Sequence, residues 1–396
     1  MIRRTPRRRP ILPQPFPRSE FEARCAKAQA AMARDGIAAM LLTSEPDLRY
    51  FTGFLTRFWE SHTRPWFLLV PASGKPVAVI PTIGAELMAQ SWLSDIRTWT
   101  SPDYDDDGVT LLAETIRELV PDGARLGVPL GRETALRMPP ADWDRLCALI
   151  GDRPRRDVSA LLRTQQEVKS PAEIALIRET CAIAGRAYAR LPELLTPGVT
   201  LAQVFRRFQM LLLEEGADWV SYLAGGAARG GYGDVISPAD DRPLAAGDVL
   251  MLDTGAVRQG YFCDYDRNWA VGHATPEVQD AHRRLHDAAL AGFEAARPGA
   301  TCADLHRTIV GVLGQDPGGR VGHGLGMRLT EWPSLIPADN TVLRPGMVLT
   351  LEPWLPLGPG RMLVHEENLV IGENGAEWLS PLAPREIPVI DWPMIR

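Results

Sequence analysis

Lysine is nearly missing from this chain: Lys27, Lys75 and Lys169 are the only three in 396 residues, and arginine carries the remaining positive charge. With a formal net charge of −6, a basic face for nucleic acid is not expected. Cysteine is sparse too. Cys25, Cys147, Cys181, Cys263 and Cys302 are odd in number, scattered and without a C-x-x-C pair. That pattern fits reduced thiols in a cytoplasmic protein rather than a disulfide framework. No run approaches the ~18 apolar residues of a membrane span, so no membrane partner is expected. The early cluster Arg3, Arg4, Arg7, Arg8 and Arg9 lacks the apolar stretch and cleavage site of an export signal. Pro10, Pro13, Pro15 and Pro17 follow instead, which marks residues 1–18 as a flexible arm.

What is present fits a globular protein. Hydrophobic residues make up 45% and charged residues 23%, and the length exceeds one ordinary core, so two domains are expected. Phe21, Cys25, Ala28 and Met32 recur at helical spacing within a helix over Glu20–Arg34, which Gly36 ends. Strands are expected at Ile37–Leu42, Trp66–Val70 and Val77–Ile80, with a helix over Leu111–Leu119. This alternation predicts an α/β N-terminal domain over 19–160, followed by a polar connection, Arg153–Gln166.

A second domain is expected over 165–396. Ser170, Pro171 and Glu173 form a helix-start signature, and Ile174, Ile177, Cys181, Ala184, Tyr188 and Leu191 make one apolar stripe behind it. A second helix runs from Leu201 to about Glu215. Strands follow from Val249 onward, interrupted by helices over Val278–Ala296 and Ala303–Leu313. Strand runs with interspersed helices predict an α+β domain.

Five side chains in this half could hold metal: Asp253, Asp264, His323, Glu352 and Glu366. Each stands beside β-forming residues or glycine. Four carboxylates and one imidazole suit two hard or borderline divalent cations, such as Mn, Fe, Co or Zn. One such acid alone would read as a turn residue or strand-end charge; the ordered set is the signal. Cys263, next to Asp264, is turned to the opposite face by strand alternation and reads as a small core residue.

The set resembles the pita-bread metallopeptidase superfamily, whose members include creatinase, aminopeptidase P and prolidase. The resemblance rests on Asp253-Thr254-Gly255, on Tyr261 through Arg267 around Asp264, on Gly322-His323-Gly324-Leu325-Gly326, on Leu351-Glu352-Pro353, and on Glu366 before the strand residues Leu369-Val370-Ile371. It implies a creatinase-type N-terminal domain and a pita-bread catalytic domain curved around two divalent metal ions. It also implies Asp264 and Glu366 as bridging ligands, with Glu366 favoured over Glu367, and a homodimer whose partner closes the site. Arg57, Trp59, His62 and Arg64 lie in the loop where that closure is expected; ordinary surface is the alternative.

The departures from the pattern carry information as well. Thr330 stands where proline peptidases of this kind place the histidine of H-E-x-P, and residues 224–241 hold no histidine. Val364, Asp266 and Trp354 replace a usual arginine, threonine and glycine. Threonine does not titrate near neutral pH, so another group must move protons. Asp234, on a glycine-rich loop with Tyr232, is favoured over Asp266, with Glu331 behind them; a turn cap for Asp234 and an arginine pairing for Asp266 are the alternatives. Tyr232, Thr330, Trp332, Trp354 and Trp59 are the candidate substrate contacts, with core packing the alternative for Trp332 and Trp354.

The expected activity is metal-assisted hydrolysis of a C–N bond in a small amide or dipeptide. The alternative is a lyase acting on a small carboxylate with a cationic tail, which aromatic faces would attract. The E-W-P stretch at Glu331-Trp332-Pro333 resembles the dimethylsulfoniopropionate lyase of this fold, but Gly255 stands where that lyase carries a second acid.

Overall fold

The computed structural model describes residues 15–61 and 63–392. The arginine cluster of the expected arm and His62 lie outside the described residues. Two compact units divide between Gln165 and Gln166.

The N-terminal unit begins with α1 (Arg18–Asp35), longer by a residue or two at each end than its periodicity suggests. Gly36 closes it in the left-handed region at φ 62°, where glycine meets no Cβ penalty. The chain continues through β1 (Ile37–Leu42), α2 (Glu45–Thr52), β2 (Phe67–Pro71), β3 (Val77–Pro81), α3 (Ala85–Met88), β4 (Asp95–Trp99), α4 (Val109–Leu119), β5 (Arg125–Val128), α5 (Pro140–Leu149), β6 (Arg155–Asp157) and α6 (Ser159–Gln166). One six-stranded mixed sheet results, in the order β4-β3-β2-β1-β5-β6. Leu41, Phe67, Leu69 and Val79 of its centre pack with Leu112 and Ile116 of α4.

The stretch expected as a polar connection is instead strand β6 and helix α6. Arg155, Arg156 and Asp157 are all exposed, because β6 is an edge strand paired only with β5. An edge strand faces water and needs no apolar alternation, so its composition reads as a linker.

The C-terminal unit opens with α7 (Pro171–Arg190), and its capping box is formed as the sequence predicts. Ser170 Oγ accepts from Glu173 N at 3.3 Å while Glu173 Oε2 accepts from Ser170 N at 2.8 Å. Helix α8 (Leu201–Glu214) and strands β7 (Trp219–Arg229), β8 (Asp248–Arg258), β9 (Tyr261–Phe262) and β10 (Tyr265–Val271) follow. Strand β7 was not expected, since Gly225 and Gly226 interrupt it. A Cβ at Gly225 would collide with the carbonyl of Met251 on β8, so the glycine that hides the strand is what lets it pair.

The remaining elements are α9 (Pro276–Ala295), α10 (Cys302–Leu313), β11 (His323–Gly324), β12 (Glu331–Ser334), β13 (Val348–Leu351), β14 (Trp354–Gly358), β15 (Arg361–Val364), β16 (Glu367–Ile371), β17 (Ala376–Trp378) and β18 (Val389–Ile390). Two five-stranded sheets dominate. One runs β18-β10-β8-β7 with β9 alongside β8; the other runs β12-β11-β13-β16-β17. Leu285 and Ala288 of α9, Leu305 and Ile309 of α10, Met251 and Leu349 belong to one apolar core behind them. No helix of the described residues is long and apolar enough to cross a membrane.

Candidate metal centre

Each of the two sheets delivers acids to the same place. Asp253 lies inside β8, flanked in register by Ala224 of β7 and Asp266 of β10. Asp264 occupies the turn between β9 and β10. Its backbone is clamped by Asn368 of β16, whose Oδ1 accepts from Asp264 N at 3.0 Å and whose Nδ2 donates to Asp264 O. From the second sheet come His323 on β11, Glu352 just past β13 and Glu366 just before β16.

The glycines around His323 are explained by crowding. A Cβ at Gly322 would strike the carbonyl of Thr350, and one at Gly324 the carbonyl of Trp332. His323 N donates to Thr350 Oγ1 at 3.1 Å. Its Nδ1 lies 2.8 Å from the carbonyl of Gly324, which can only accept, so Nδ1 carries the proton and Nε2 offers a lone pair.

Asp264, His323 and Glu366 bring one ligand atom each within 4.8 Å of one another, and His323 Nε2 stands 3.4 Å from Asp264 Oδ2. Asp253 and Glu352 join this trio through charge. Burial, then Asp264 and Glu352, push the Asp253 carboxyl well above its ordinary range. Burial, then Glu352, do the same to Asp264, with Arg320 opposing. Burial, then Asp264, Glu352, Asp253 and Asp266, raise Glu366. Burial lowers His323, which favours the neutral imidazole a metal requires.

Asp253 Oδ1, Glu352 Oε2 and Glu366 Oε1 are buried without a hydrogen-bond partner. Buried carboxylate oxygens left in this way are costly unless a cation meets them. The donor set, oxygens plus one imidazole nitrogen, therefore fits divalent metal. Glu367 points elsewhere: Oε2 pairs with Arg267 Nη2 at 2.9 Å and Oε1 accepts from Ala383 N at 2.8 Å.

The three acids read from sequence as proton carriers have other work. Asp234 is exposed and caps a turn, accepting from Ile236 N at 2.9 Å, Ser237 N at 2.7 Å and Ser237 Oγ at 2.7 Å, and these bonds hold its carboxyl below the usual range. Asp266 is buried, with Oδ1 on the backbone N–H of Glu366 and Oδ2 accepting from Asn268 Nδ2 at 2.8 Å. It sets the position of Glu366 and adds its charge to those acting on Glu366. Glu331 pairs with buried Lys169 at 2.8 Å and accepts from Met327 N at 2.8 Å. Against the push of burial, Lys169 holds Glu331 below its usual range.

The aromatic candidates divide. Tyr232 is 1% exposed, donates to Asn268 Oδ1 at 3.0 Å and accepts from Val364 N at 2.7 Å, so it is core. Trp59 is likewise buried, 5.7 Å from the Trp66 ring with the Arg137 guanidinium 4.8 Å above it. Trp332 and Trp354 are half-buried, and Trp354 Nε1 donates to Gly318 O at 3.3 Å. Thr330 is exposed and meets Arg320 Nη2 at 3.4 Å. Cys263 is fully buried.

Sequence reasoning missed Asn368, Arg320 and Tyr222. Tyr222, on β7, donates to Val235 O at 3.0 Å; burial, then Asp253, Asp264, Glu366 and Glu352, push its hydroxyl up. Its partner across the strands, Gly255, is another tight position, where a Cβ would run into Leu329.

Comparison with known proteins agrees with this construction. A model of the creatinase/prolidase N-terminal domain matches residues 24–165, and a model of metallopeptidase family M24 matches 175–373. The probable dipeptidase PepE of Mycobacterium tuberculosis is 29% identical over 382 residues, covering 95% of this chain and 98% of that protein. The crystal structure of dipeptidase PepE from Mycobacterium ulcerans superposes with a TM-score of 0.80 at 29% identity, covering 95% and 99% of the two chains. A prolidase from Thermococcus sibiricus shares the fold at a TM-score of 0.82 and 23% identity, over 93% and 99%. The resemblance read from five short motifs thus extends over both units, and the chain belongs to metallopeptidase family M24.

Proposed function

We propose that this protein is a metal-dependent hydrolase that cleaves the C–N bond of a dipeptide, with Asp253, Asp264, His323, Glu352 and Glu366 as the ligands. The observation that carries the assignment is the convergence of Asp264, His323 and Glu366 from two sheets, beside three buried carboxylate oxygens without a hydrogen-bond partner. Divalent ions held there supply a water of lowered pKa and a polarised carbonyl. The chain's own residues fix the geometry. Asn368 holds the backbone of Asp264, Asp266 that of Glu366, and Gly324 the imidazole of His323. Four carboxylates and one imidazole are enough for two ions, since Asp264 and Glu366 each carry two oxygens.

The M. tuberculosis relative is named a dipeptidase, and one from Pyrococcus horikoshii, matched over 57% of this chain, an Xaa-Pro dipeptidase. The lyase alternative draws no support from these names, and Gly255 supplies no second acid beside Asp253. Lacking both peptidase imidazoles, this chain is expected to cleave dipeptides without proline better than Gly-Pro or Ala-Pro, because general acid–base help is worth ~10²–10⁴ in rate. The test is a dipeptide panel on protein loaded with Mn, Fe, Co or Zn, with and without chelator. Absence of chelator-sensitive cleavage with every metal would refute the assignment; efficient Ala-Pro cleavage would refute the preference.

Cytoplasmic residence is supported by five free cysteines. The homodimer has its support in the family resemblance, and sedimentation equilibrium tests it.

A further inference from the structure

We propose that Tyr232 is a positioning residue of the metal centre: with Asn268 and Asp266 it forms a buried relay of hydrogen bonds that holds the Glu366 arm in place. The inference rests on the ligand set proposed above and concerns residues outside that set.

Glu366 stands where regular pairing stops. Strand β15 is paired with β14 as far as Val364, and β16 is paired with β13 from Glu367 onward, so His365 and Glu366 lie outside both ladders. His365 N donates to Pro353 O at 3.0 Å, and three further backbone groups of this arm are met by side chains. Val364 N donates to Tyr232 Oη at 2.7 Å, Val364 O accepts from Asn268 Nδ2 at 2.8 Å, and Glu366 N donates to Asp266 Oδ1.

The donors and acceptors leave one arrangement of protons. Tyr232 Oη already accepts from Val364 N, so its own proton points to Asn268 Oδ1, 3.0 Å away. That orients the amide, and Nδ2 donates to Asp266 Oδ2 at 2.8 Å as well as to Val364 O. An ionised Asp266 can only accept, and it uses one oxygen for Asn268 and the other for Glu366 N. All three side chains are buried, which strengthens each bond and makes a missing one costly.

Both ends of the relay are anchored. Tyr232 N donates to Met362 O at 3.3 Å and Met362 N to Tyr232 O at 2.8 Å, so main chain and side chain together bind this residue to β15. At the other end, Asp266 is paired in register with Asp253 across β10 and β8. The relay thereby joins the Glu366 arm to the strand that carries the first ligand. Two departures from the family pattern, Asp266 and Val364, fall within it. Phenylalanine at position 232 would leave Val364 N and Asn268 Oδ1 buried without this partner.

The test is manganese titrated into the full-length protein cleared of metal, with the free ion followed by electron paramagnetic resonance. Tyr232→Phe and Asn268→Leu should each weaken binding by about 10- to 100-fold, the range for partners that stand behind a metal ligand. In Tyr232→Phe combined with Asp266→Asn, the loss should fall well below the product of the two single losses, because the side chains act as one unit. On the first dipeptide cleaved, the manganese that gives half-maximal turnover should rise by the same factor in Tyr232→Phe, with KM unmoved. Wild-type affinity in Tyr232→Phe overturns the proposal; so does a double variant whose loss equals the product, or a raised KM, which would make Tyr232 a substrate contact. Tyr232→Phe removes one oxygen, so the test stands even if Asn268→Leu does not fold. A wild type that binds no manganese, iron, cobalt or zinc removes the ligand set and the relay's role with it. The expected affinity losses in a protein that cleaves no dipeptide would uphold the relay and remove the hydrolase reading alone.

Discussion

Both units bury charge, and Arg24 and the ligand acids show two different ways of handling it. In the N-terminal unit one buried charge is Arg24, whose guanidinium lies 4.4 Å from the Tyr50 ring and 4.8 Å from Phe16 while Nη1 donates to Tyr50 O at 3.0 Å. Aromatic faces and a carbonyl satisfy it, with Glu20 at 3.2 Å adding an opposite charge. In the C-terminal unit Asp253, Asp264, Glu352 and Glu366 share one site, where burial and then neighbouring carboxylates raise the cost of ionising Asp253, Asp264 and Glu366. The first arrangement meets its charge with an opposite charge and ring faces of the same unit. The second asks for a cation, so the contrast separates a charge that serves the fold from charges that serve chemistry.

Removing Asp264 should break the contrast most fully. Asp264→Ala should lose metal loading and turnover together, measured by metal analysis and chelator-sensitive hydrolysis. It should also lose the stabilisation of about 2.7 kcal/mol that metal at about a hundred times Kd gives the wild type. A metal-replete variant with normal turnover would remove Asp264 from the ligand set.

Lys169 sharpens the contrast from within the C-terminal unit, as a buried charge with a dedicated partner. Lys169→Met leaves Glu331 buried and unpaired by lysine, and urea unfolding should show a loss of about 3–5 kcal/mol. A loss below about 1 kcal/mol would show that Glu331 needs no counter-charge.

His282 supplies a pH-dependent case. It is 1% exposed, its Nε2 is 3.1 Å from Pro384 O, and it faces His286, His365, Glu386 and Arg267. Burial holds it near 4, below its ordinary 6.5. The unfolded chain therefore takes up a proton first. The stability due to neutral His282 is fully present above pH 6.5 and is lost as pH falls toward 4, by up to about 3 kcal/mol. His282→Gln should flatten this part of the stability–pH curve; an unchanged slope would acquit His282.

The smallest effect is expected in the N-terminal unit. Arg24→Met should cost about 1–3 kcal/mol by calorimetry, with the same loss whether or not metal is present. A metal-dependent loss would mean that the two kinds of buried charge are not independent.

The proposed ligands could be picked out because each sits in a short stretch whose neighbours are dictated locally: a strand around Asp253, crowding glycines around His323, a strand end before Glu352. Chain order alone could display them. Asn368, Arg320 and Tyr222 were not legible, since each acts on a residue brought close only by strand pairing or loop packing. Asp234 and Glu331 are the converse case. Both are acids near the right motifs, but Ser237 and Lys169 determine what they do, and nothing local announces those partners. The N-terminal strands were read well where they are continuous apolar runs, and β6 was lost where an edge strand carries only charge.

Gly255 has a consequence for anyone who would re-engineer this scaffold. Leu329 and Tyr222 press on the place where its side chain would be, so the centre is walled on that side by packing rather than by chemistry. Introducing a new acid there is therefore coupled to Leu329, whose side-chain end must swing aside before position 255 can carry anything larger than hydrogen. Trimming Leu329 first would ease mutational paths toward a different reaction at this point.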